Sequence, residues 1–352
     1  MNSTVSDSVL TAFDLSDVGS SDLRAFGNGH INDTFFIEKK GVILQRINTR
    51  VFPQPDELMD NIVRVTSFLK EKIKKRGGNP DRETLTFIPT REGKYYFADT
   101  DNSCWRLMKY IGDTVSYEKA ENKTFFRETG LCFGSFIDDL SDFPASTLHE
   151  VIPDFHDTSS RYRQFMKALE EDRKNRVKKV KNEIEFLTER EFYSHFFNRS
   201  EFPLRVTHND TKLNNILIDG KTGHGICVVD LDTVMPGFAA HDFGDGIRTG
   251  ACTANEDERD ISKVSLDFDM YRAFYEGFTD GAKRTLTDKE ISTLPDGAMV
   301  ITYEQALRFL SDYLNGDIYY KTDYGEHNLV RTKTQIALLS DMEEKSPAMR
   351  QI

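Results

Sequence analysis

The amino-acid sequence changes character near residue 112, and this change limits the folds that the chain can adopt. Before it, short runs of β-branched and aromatic residues alternate with turn residues, which predicts strands. After it, long segments repeat apolar residues at helical spacing, interrupted between residues 205 and 232 by two apolar runs typical of strands. The sequence therefore predicts a two-lobed α+β fold, with a small antiparallel-sheet N-terminal lobe (residues 1–111) and a larger, mainly helical C-terminal lobe (residues 112–352).

Two strand pairs and one helix are predicted in the N-terminal lobe. The run TFFIEKKGVILQRIN reads as two strands joined at residues 39–41, and KYYFADTDNSCWRLMKYI reads as two more joined at residues 99–102. Between these pairs, apolar residues recur at helical spacing from Pro55 until two adjacent glycines at residues 77–78. A helix is therefore expected between the two strand pairs.

Charge and composition argue against several kinds of partner. The 352 residues carry a formal net charge of −12, which disfavours nucleic acid and acidic membrane surfaces as partners. The basic cluster at residues 174–181 is flanked by acidic residues and is predicted to be a solvated helix face. The length and the 38% of hydrophobic residues suit about two globular domains.

The cysteines and the N-terminal residues predict a cytoplasmic location. The 4 cysteines lie far apart without a C-x-x-C pair, so reduced thiols are expected instead of a zinc site or a disulfide framework. The first residues lack the basic and apolar regions of a secretory signal. No run reaches the ~18 apolar residues of a membrane span, so no membrane partner is expected.

The polar stretch RVTHNDTKLNNILID, residues 205–219, connects two apolar runs, and GICVVDLD follows at residues 225–232. Asp210 lies in the turn after the first run and Asp230 near the end of the last one, so both carboxylates are predicted at strand ends. Phosphoryl transfer needs a carboxylate that accepts a proton from the attacking hydroxyl group, and oxygen ligands for Mg²⁺. Asp210 is therefore the predicted base, and Asn215 and Asp230 are the predicted metal ligands.

A purely structural turn is the alternative, because Asn and Asp side chains often satisfy backbone groups in loops. The combined pattern of H-x-D, an Asn five residues later and a downstream apolar-apolar-Asp-x-Asp is more specific and favours catalysis. His208 is predicted to brace the loop. Asp232 either supports the metal or caps the next turn, while Asp242 and Asp245 are predicted to form a helix N-cap and a salt bridge to Arg248.

These residues resemble the aminoglycoside phosphotransferase/choline kinase superfamily and, within it, the N-acetylhexosamine 1-kinases. A protein-kinase-like fold is implied by this resemblance. Six blocks carry it, and they run in order from residue 27 to residue 336. The blocks are GNGHINDTFFI, LRVTHNDTKLNNILID, VVDLDTVMPG, DFGDGIR, RFLSDYLNGDIYY and EHNLVRTKTQI.

The resemblance implies a reaction as well as a fold. It implies that ATP and Mg²⁺ are used to phosphorylate the anomeric hydroxyl group of N-acetylglucosamine or N-acetylgalactosamine, giving the sugar 1-phosphate. Asp210 matches the catalytic base of the family, and Asn215 and Asp230 match its metal-ligand positions. The expected cofactors are ATP and Mg²⁺, and the expected partner is a small sugar.

Nucleotide-binding candidates come from several segments. The glycines of GNG permit close approach of the backbone to phosphates, although a plain hairpin turn also explains them. The strand that carries a phosphate-binding lysine in protein kinases reads VILQRIN here, so Arg46 or Lys212 is the candidate cation. The resemblance places RLMKYIGDT at the hinge beside the adenine. The predicted nucleotide-binding residues are Gly27, Asn28, Gly29, Arg46, Lys109, Tyr110, Ile111 and Lys212.

Sugar recognition usually needs several oriented hydrogen-bonding groups and an aromatic face. The resemblance favours Arg308 and Tyr319, although Arg308 could instead pair with Asp312 one helical turn away. It also places His30 over the cleft. The predicted substrate-binding residues are His30, Asn214, Arg308 and Tyr319.

Two other functions stay open. One is a kinase for another small alcohol of the choline, aminoglycoside or homoserine type, but a cationic acceptor should need a cage of carboxylates or aromatic rings. The other is a catalytically inactive nucleotide-binding module, which the absent strand lysine would suit. The intact set of Asp210, Asn215 and Asp230 argues against the inactive module.

Overall fold

Two compact units make up the chain in the computed structural model, which describes residues 5–27, 32–119 and 122–352. Neither unit is continuous in sequence. The sheet unit comprises Met1–Val115, Asp142–Pro153 and Leu217–Met235, and the helical unit comprises Ser116–Ser141, Asp154–Ile216 and Pro236–Ile352. Antiparallel strands dominate the first unit and helices the second, which confirms the predicted α+β class.

Short strands and longer helices alternate along the described residues. The strands are β1 (Arg24–Ala25), β2 (Asp33–Ile37), β3 (Val42–Ile47), β4 (Phe87–Ile88), β5 (Phe97–Ala98), β6 (Cys104–Lys109), β7 (Thr114–Val115), β8 (Arg205–Thr207), β9 (Ile216–Asp219), β10 (Gly225–Val228) and β11 (Met235–Gly237). The helices are α1 (Asp7–Ala12), α2 (Pro55–Lys75), α3 (Pro80–Glu83), α4 (Lys123–Asp139), α5 (Thr158–Glu171), α6 (Lys181–Thr188), α7 (Ala239–Gly250), α8 (Phe268–Gly281), α9 (Asp288–Ser292), α10 (Leu294–Asn315) and α11 (His327–Met349).

The sheet unit is built on an antiparallel sheet with the strand order β1-β2-β3-β6-β4, and β5 also pairs with β6. Strands β2 and β3 are joined by a short 3-10 turn and by Gly41, whose φ of 62° is a left-handed conformation that glycine adopts without strain. Both predicted strand pairs are therefore confirmed. The pairing of β3 with β6 sets Gln45 opposite Arg106 and Arg46 opposite Trp105.

Helix α2 confirms the predicted helix between the two strand pairs. It begins at Pro55, because the fixed φ of proline suits the first turn of a helix, and it ends just before Gly77. Its apolar residues at helical spacing, Leu58, Ile62 and Val65, are fully buried. The other core of this unit joins the apolar face of α1 to residues of β2, β3 and β6.

Helices α4 and α8 of the helical unit cross at very short range. Gly130 and Gly134 of α4 lie against the main chain of α8, and Gly277 and Gly281 of α8 lie against the main chain of α4. A Cβ atom at any of the four positions would overlap a backbone carbonyl oxygen. The four-residue spacing places each pair of glycines on one face of its helix, so the two backbones meet directly.

The predicted continuous helical segment that contains the basic residues 174–181 is broken in the structure. Helix α5 gives way at Asp172, whose φ of 35° is left-handed, and the 3-10 turn Val177–Lys179 precedes α6. Arg176 pairs with Asp317 at 2.6 Å, which stabilises the bend. Lys174, Lys178 and Lys179 are exposed, as predicted, but they lie in a link between two helices, so the prediction that they form a helix face is wrong.

Two further observations concern the cysteine thiols and the apolar content of the helices. The four cysteine thiols are free, and burial raises the pKa of the Cys132 thiol to about 12, which makes it a poor nucleophile. Within residues 5–27, 32–119 and 122–352, no helix has both the length and the apolar content of a membrane-spanning segment.

Candidate active site

The polar stretch between β8 and β9 forms a loop of the helical unit, here called the HND loop (residues 208–215). Asn209 has a φ of 64°, and a 3-10 turn at Leu213–Asn215 leads into β9. A positive φ is uncommon outside glycine, and Asn is one of the residues that tolerate it best. The conformation of the HND loop must therefore be held by contacts with its surroundings.

Two buried carboxylates of α7 hold the backbone of the HND loop. The N–H groups of His208 and Asn209 donate to the two carboxylate oxygens of Asp242 at 2.8 and 2.7 Å. The N–H group of Thr211 donates to Asp245 at 2.9 Å. Asp242 is fully buried, and burial raises its pKa to about 6. Asp242 lies within the first turn of α7, so the predicted N-cap role is wrong, and its carboxylate serves the HND loop instead.

Arg248 compensates the charge of Asp245. Its guanidinium lies 3.0 Å from Asp245 and 2.8 Å from Glu256, so the predicted salt bridge is confirmed. Arg248 is 8% exposed, so the ion pair with Asp245 is buried. Asp245 contacts Arg248 through one carboxylate oxygen and accepts the hydrogen bond of Thr211 through the other.

His208 is a structural residue of the HND loop, as predicted. Its imidazole is fully buried, and the rings of Phe133 and Phe136 in α4 meet it edge-on with centroids 5.4 and 6.2 Å away. The N–H group of Asp210 donates to His208 Nδ1 at 3.2 Å. This bond fixes the backbone of Asp210 directly.

The carboxylate of Asp210 lies in the HND loop between two polar partners. Lys212 Nζ is 2.7 Å from one oxygen, and Asn215 Nδ2 donates to the other at 3.2 Å and to the Asp210 carbonyl oxygen at 2.8 Å. Burial alone would raise the pKa of Asp210, but Lys212, His208 and the Asn215 hydrogen bond lower it below its ordinary value. Asp210 is therefore ionised near neutral pH, and 22% of its side chain is exposed, so it can accept a proton from a bound hydroxyl group.

The two predicted metal ligands belong to different units. Because Asn215 Nδ2 is engaged within the HND loop, Oδ1 is the atom of this amide that can bind a cation. Asp230, in the sheet unit, is exposed and opens the 3-10 turn Leu231–Thr233 with a φ of 57°. Mg²⁺ prefers such oxygen ligands and is commonly held by one or two side chains together with substrate phosphates. Among the described residues, no group of three or more His, Cys, Asp or Glu side chains is placed to hold a metal ion. A site of one Asn and one Asp does not need such a group.

A buried acid–histidine pair also supports the HND loop. His156 Nδ1 lies 2.8 Å from Glu304, and Nε2 lies 3.2 Å from the Asn209 carbonyl oxygen. Thr158 donates to the second Glu304 oxygen at 2.7 Å. A ring that donates to both a carboxylate and a carbonyl oxygen needs protons on both nitrogens, so the contacts describe an imidazolium.

The charges of this buried group agree with its hydrogen bonds. Burial lowers the pKa of His156, but the negative charge of Glu304 raises it by a larger amount. The pKa of His156 is therefore above its ordinary value. Burial would raise the pKa of Glu304, yet His156 lowers it to about 2. The neighbouring His241 is buried beside this cation, and both effects lower its pKa to about 3. One imidazole is therefore charged and the other is neutral.

Arg308 lies among aromatic rings of the helical unit. Its guanidinium carbon is 5.3, 6.0 and 5.8 Å from the ring centroids of Phe155, Tyr319 and Tyr320, respectively. We call these four residues the Arg308 cage. Tyr319 is 64% exposed, so the cage reaches solvent on that side. The structure thus brings together Arg308 and Tyr319, two of the predicted substrate-binding residues.

Asp312 is not the ion-pair partner of Arg308, which answers the alternative that the sequence left open. Its buried carboxylate accepts hydrogen bonds from the N–H groups of residues 318–320 at 2.8–3.0 Å. These bonds fix the chain that carries Tyr319. The remaining candidate, Asn214, lies in the HND loop and donates to Glu118 at 3.3 Å.

In the predicted phosphate-binding segment GNGH, residues 27–30, Gly27 is the residue that the structure describes. Gly27 is exposed and has a φ of 75°, a conformation that favours glycine. Arg46 pairs with Asp33 on the adjacent strand and keeps 37% of its side chain exposed. The predicted residues Asn28, Gly29 and His30 lie outside the described residues.

The predicted hinge residues lie at the end of β6 and just after it. Lys109 is exposed and pairs with Asp81 at 3.0 Å. The ring of Tyr110 packs on Phe36 with centroids 4.4 Å apart, and Ile111 is buried. The backbone N–H groups of Lys109 and Tyr110 donate to the carbonyl oxygens of Thr86 and Gly41, at 2.8 and 2.9 Å, so these two donors are engaged within the protein.

His156 and Glu304 were not singled out from the sequence. The one signal is a glutamate inside the apolar run AMVITYEQALRFL of α10, because a buried acid is almost always paired. Its partner lies 148 residues away, so the sequence gives no indication of which residue that is.

Known proteins share this sequence pattern and fold. The model of the phosphotransferase enzyme family (APH) matches residues 22–274. A microcompartment-associated aminopropanol kinase has 14% identity and a TM-score of 0.58 over 98% of this chain and 97% of that chain. The GDP and kanamycin complex of APH(2")-IIia has 13% identity and a TM-score of 0.63 over 94% and 97%. Choline kinase from Cryptosporidium parvum has 12% identity and a TM-score of 0.56 over 96% and 94%. These similarities confirm the predicted protein-kinase-like fold.

Proposed function

The chain belongs to the phosphotransferase enzyme family, and from this premise we propose that it transfers the γ-phosphoryl group of ATP to a hydroxyl group of a small molecule. The observation that carries the proposal is the state of Asp210. It is an ionised and partly exposed carboxylate in a loop whose backbone is fixed by buried groups. A general base in phosphoryl transfer needs this combination of charge, access and fixed orientation.

In the proposed reaction, Asp210 accepts the proton of the acceptor hydroxyl group while the hydroxyl oxygen attacks the γ-phosphorus of ATP. The bond between the γ-phosphorus and the β–γ bridging oxygen breaks, and ADP leaves with that oxygen. A sugar hydroxyl group is a weak nucleophile, so its orientation by Asp210 matters more than complete deprotonation.

Mg²⁺ is the proposed cofactor, and Asn215 and Asp230 are its proposed ligands in this chain. When bound with ATP, Mg²⁺ would neutralise charge on the nucleotide phosphates. Lys212 is the proposed phosphate contact of the HND loop, because its side chain is 46% exposed while its ammonium group stays next to Asp210. Its pKa is raised, so it is a cation under all conditions in which the enzyme would work.

We propose further that the acceptor is an N-acetylhexosamine and that the anomeric hydroxyl group is phosphorylated. The six collinear sequence blocks support this choice. So does the Arg308 cage, because a guanidinium donates well to sugar and acetamido oxygens while the face of Tyr319 suits a pyranose ring.

A kinase for a cationic alcohol is the alternative, and relatives named for aminopropanol and choline keep it relevant. In this chain the rings that could surround a cationic acceptor already surround Arg308. Two cations on the same rings repel each other and compete for the same faces. The Arg308 cage therefore favours a neutral acceptor.

A panel of acceptors tests the proposal. N-acetylglucosamine, N-acetylgalactosamine, glucose, galactose, choline, homoserine and kanamycin are each incubated with ATP and Mg²⁺, and phosphorus NMR identifies the product and its attachment point. We expect a sugar 1-phosphate from the N-acetylhexosamines, and the same product at a strongly reduced rate with the Asp210→Asn variant. Preference for a cationic acceptor would overturn the sugar assignment, and nucleotide binding without transfer to any acceptor would indicate an inactive module.

A further inference from the structure

Strand β3 has no lysine at the position where protein kinases bind phosphate, and the structure shows what occupies that place. Gln45 points to the side of the sheet opposite Arg46, because successive residues of a strand face opposite ways. Its side-chain oxygen accepts two hydrogen bonds from Arg106, at 2.9 Å from Nε and 2.6 Å from Nη2. On the side of the sheet that Gln45 faces, its partner is therefore the cation of Arg106, on the neighbouring strand β6.

The other end of the Arg106 guanidinium reaches the turn that begins at Asp230. Arg106 Nη1 lies 2.6 Å from an oxygen of Asp232, and the two side chains are only 2% and 4% exposed. Asn32 Nδ2 donates to the second Asp232 oxygen at 2.7 Å. Gln45, Arg106, Asp232 and Asn32 thus form one buried chain of contacts inside the sheet unit.

The turn itself needs such support. Residues 230–233, here called the Asp230 turn, begin with a φ of 57° at Asp230, a left-handed conformation that costs free energy outside glycine. Asp230 is exposed, whereas Asp232 is buried two residues later. A buried carboxylate without its cation is strongly penalised, so loss of Arg106 would expel Asp232 and move the turn.

We propose that Arg106 is a positioning residue of the enzyme: through Asp232 it fixes the Asp230 turn, so that the Asp230 carboxylate meets the nucleotide-bound metal in one orientation. This inference rests on the proposed function of Asp230. It assigns Asp232 to Arg106 instead of to the metal, and it gives Gln45 a role, because its oxygen orients the guanidinium across the strand pair.

Arg106→Met and Asp232→Asn test this role, singly and combined. Each single variant should raise the Mg²⁺ concentration needed for half-maximal nucleotide binding by about tenfold or more, while the KM for the acceptor stays within twofold. The double variant should be no worse than the worse single variant, because both changes remove one interaction. Arg91→Met, which removes a cation paired with Asp14 on the surface of the same unit, is the matched control and should change neither quantity.

Nucleotide binding is measured by calorimetry with a non-hydrolysable ATP analogue, so the result does not depend on turnover. A Tm that falls while the Mg²⁺ dependence stays unchanged would reduce Arg106 to a core-packing residue, and additive effects in the double variant would also overturn the inference. If Arg106→Met does not fold, Asp232→Asn, which keeps the shape of the carboxylate without its charge, decides by the same measurement. Arg106→Lys, which keeps the charge but cannot reproduce both hydrogen bonds to Gln45, is then the second variant. Mg²⁺-dependent binding without phosphoryl transfer would refute the proposed function alone, and absence of nucleotide binding would refute both.

Discussion

The HND loop and the Asp230 turn both hold an exposed or partly exposed carboxylate beside left-handed backbone, but they are held by different means. In the HND loop, the buried carboxylates of Asp242 and Asp245 accept hydrogen bonds from backbone N–H groups, and His156 donates to a backbone oxygen. In the Asp230 turn, a buried side-chain ion pair joins Asp232 to Arg106, and Asn32 donates to the same carboxylate.

This difference predicts how each region fails. The supports of the HND loop come from helix α7 and from His156, which precedes α5, and they comprise several hydrogen bonds, so a single neutral substitution removes only part of them. They nevertheless include the buried acid Asp242, whose protonation changes near pH 6, which makes them sensitive to pH. In the Asp230 turn, the contact to Arg106 is a single pair of side chains, so one substitution removes that contact completely.

Replacing Asp210 by Asn has the largest expected effect on activity, because it removes the base from a loop that keeps its other supports. We expect turnover to fall by roughly 10²–10⁴-fold with little change in nucleotide affinity. Steady-state kinetics with the best acceptor measures the change. Asp269→Asn, at an exposed carboxylate paired with Lys123, is the control and should retain wild-type turnover. A normal turnover for the Asp210 variant would mean that another group accepts the proton.

Replacing Asp242 by Asn tests the dependence of the HND loop on a buried charge. The pKa of Asp242 is raised from 3.8 to about 6 by burial, so the folded protein binds a proton there that the unfolded chain releases. The contribution of Asp242 to stability is thus fully present below its ordinary pKa of 3.8 and is lost as the pH rises through about 6.

We expect the free energy of unfolding of the wild type to gain about 2 kcal/mol relative to Asp242→Asn between pH 7 and pH 4. Urea denaturation at several pH values measures this difference. Turnover of the wild type should fall over the same range, because protonation removes an acceptor oxygen from the N–H groups of His208 or Asn209. A constant difference in stability across these pH values would show that Asp242 titrates normally.

Replacing His156 by Gln should have the smallest effect of the three, because glutamine can donate to Glu304 or to the Asn209 carbonyl oxygen but not to both. One lost hydrogen bond to a buried group corresponds to about 1 kcal/mol. The pKa of His156 is raised, since Glu304 outweighs burial, so its contribution is fully present below its ordinary pKa and is lost as the pH rises through the higher folded value.

The wild type should therefore lose its advantage over His156→Gln at alkaline pH. Thermal unfolding at pH 6 and pH 9 measures the two Tm differences, and His195→Gln, at an exposed histidine, is the matched control. An advantage that persists unchanged at pH 9 would mean that the ring is held as a neutral tautomer.

Local patterns in the sequence predicted the strands and helices that are formed by residues close together in the chain. Strands β2 and β3 and helix α2 follow from alternation, helical spacing and turn residues within a few positions of one another. The segment after α5 was predicted as continuous helix, because the contact that bends it joins Arg176 to Asp317, 141 residues away. The sequence keeps the helical spacing of apolar residues through this segment, although tertiary contacts prevent the segment from being helical.

In the candidate site, too, residues close in sequence could be predicted and partners distant in sequence could not. Asp210 and Asn215 are five residues apart, and their side chains meet in the structure. The residues that fix them could not be found so directly. His156 meets a carbonyl oxygen 53 residues away, and Arg106 meets Asp232 only after the sheet unit has assembled. Single charged residues in apolar runs are the only trace that such partners leave in a sequence.

The close crossing of α4 and α8 determines where an engineer could change the acceptor. Helix α4 carries Phe133, which supports His208 under the HND loop, and any side chain at the glycines of the crossing would push this helix outward. Random libraries that include Gly130, Gly134, Gly277 or Gly281 would consist mostly of unfolded members. Mutant libraries at and around Tyr319 would change exposed side chains and leave the α4–α8 crossing intact. Variants that use new acceptors should therefore be sought there.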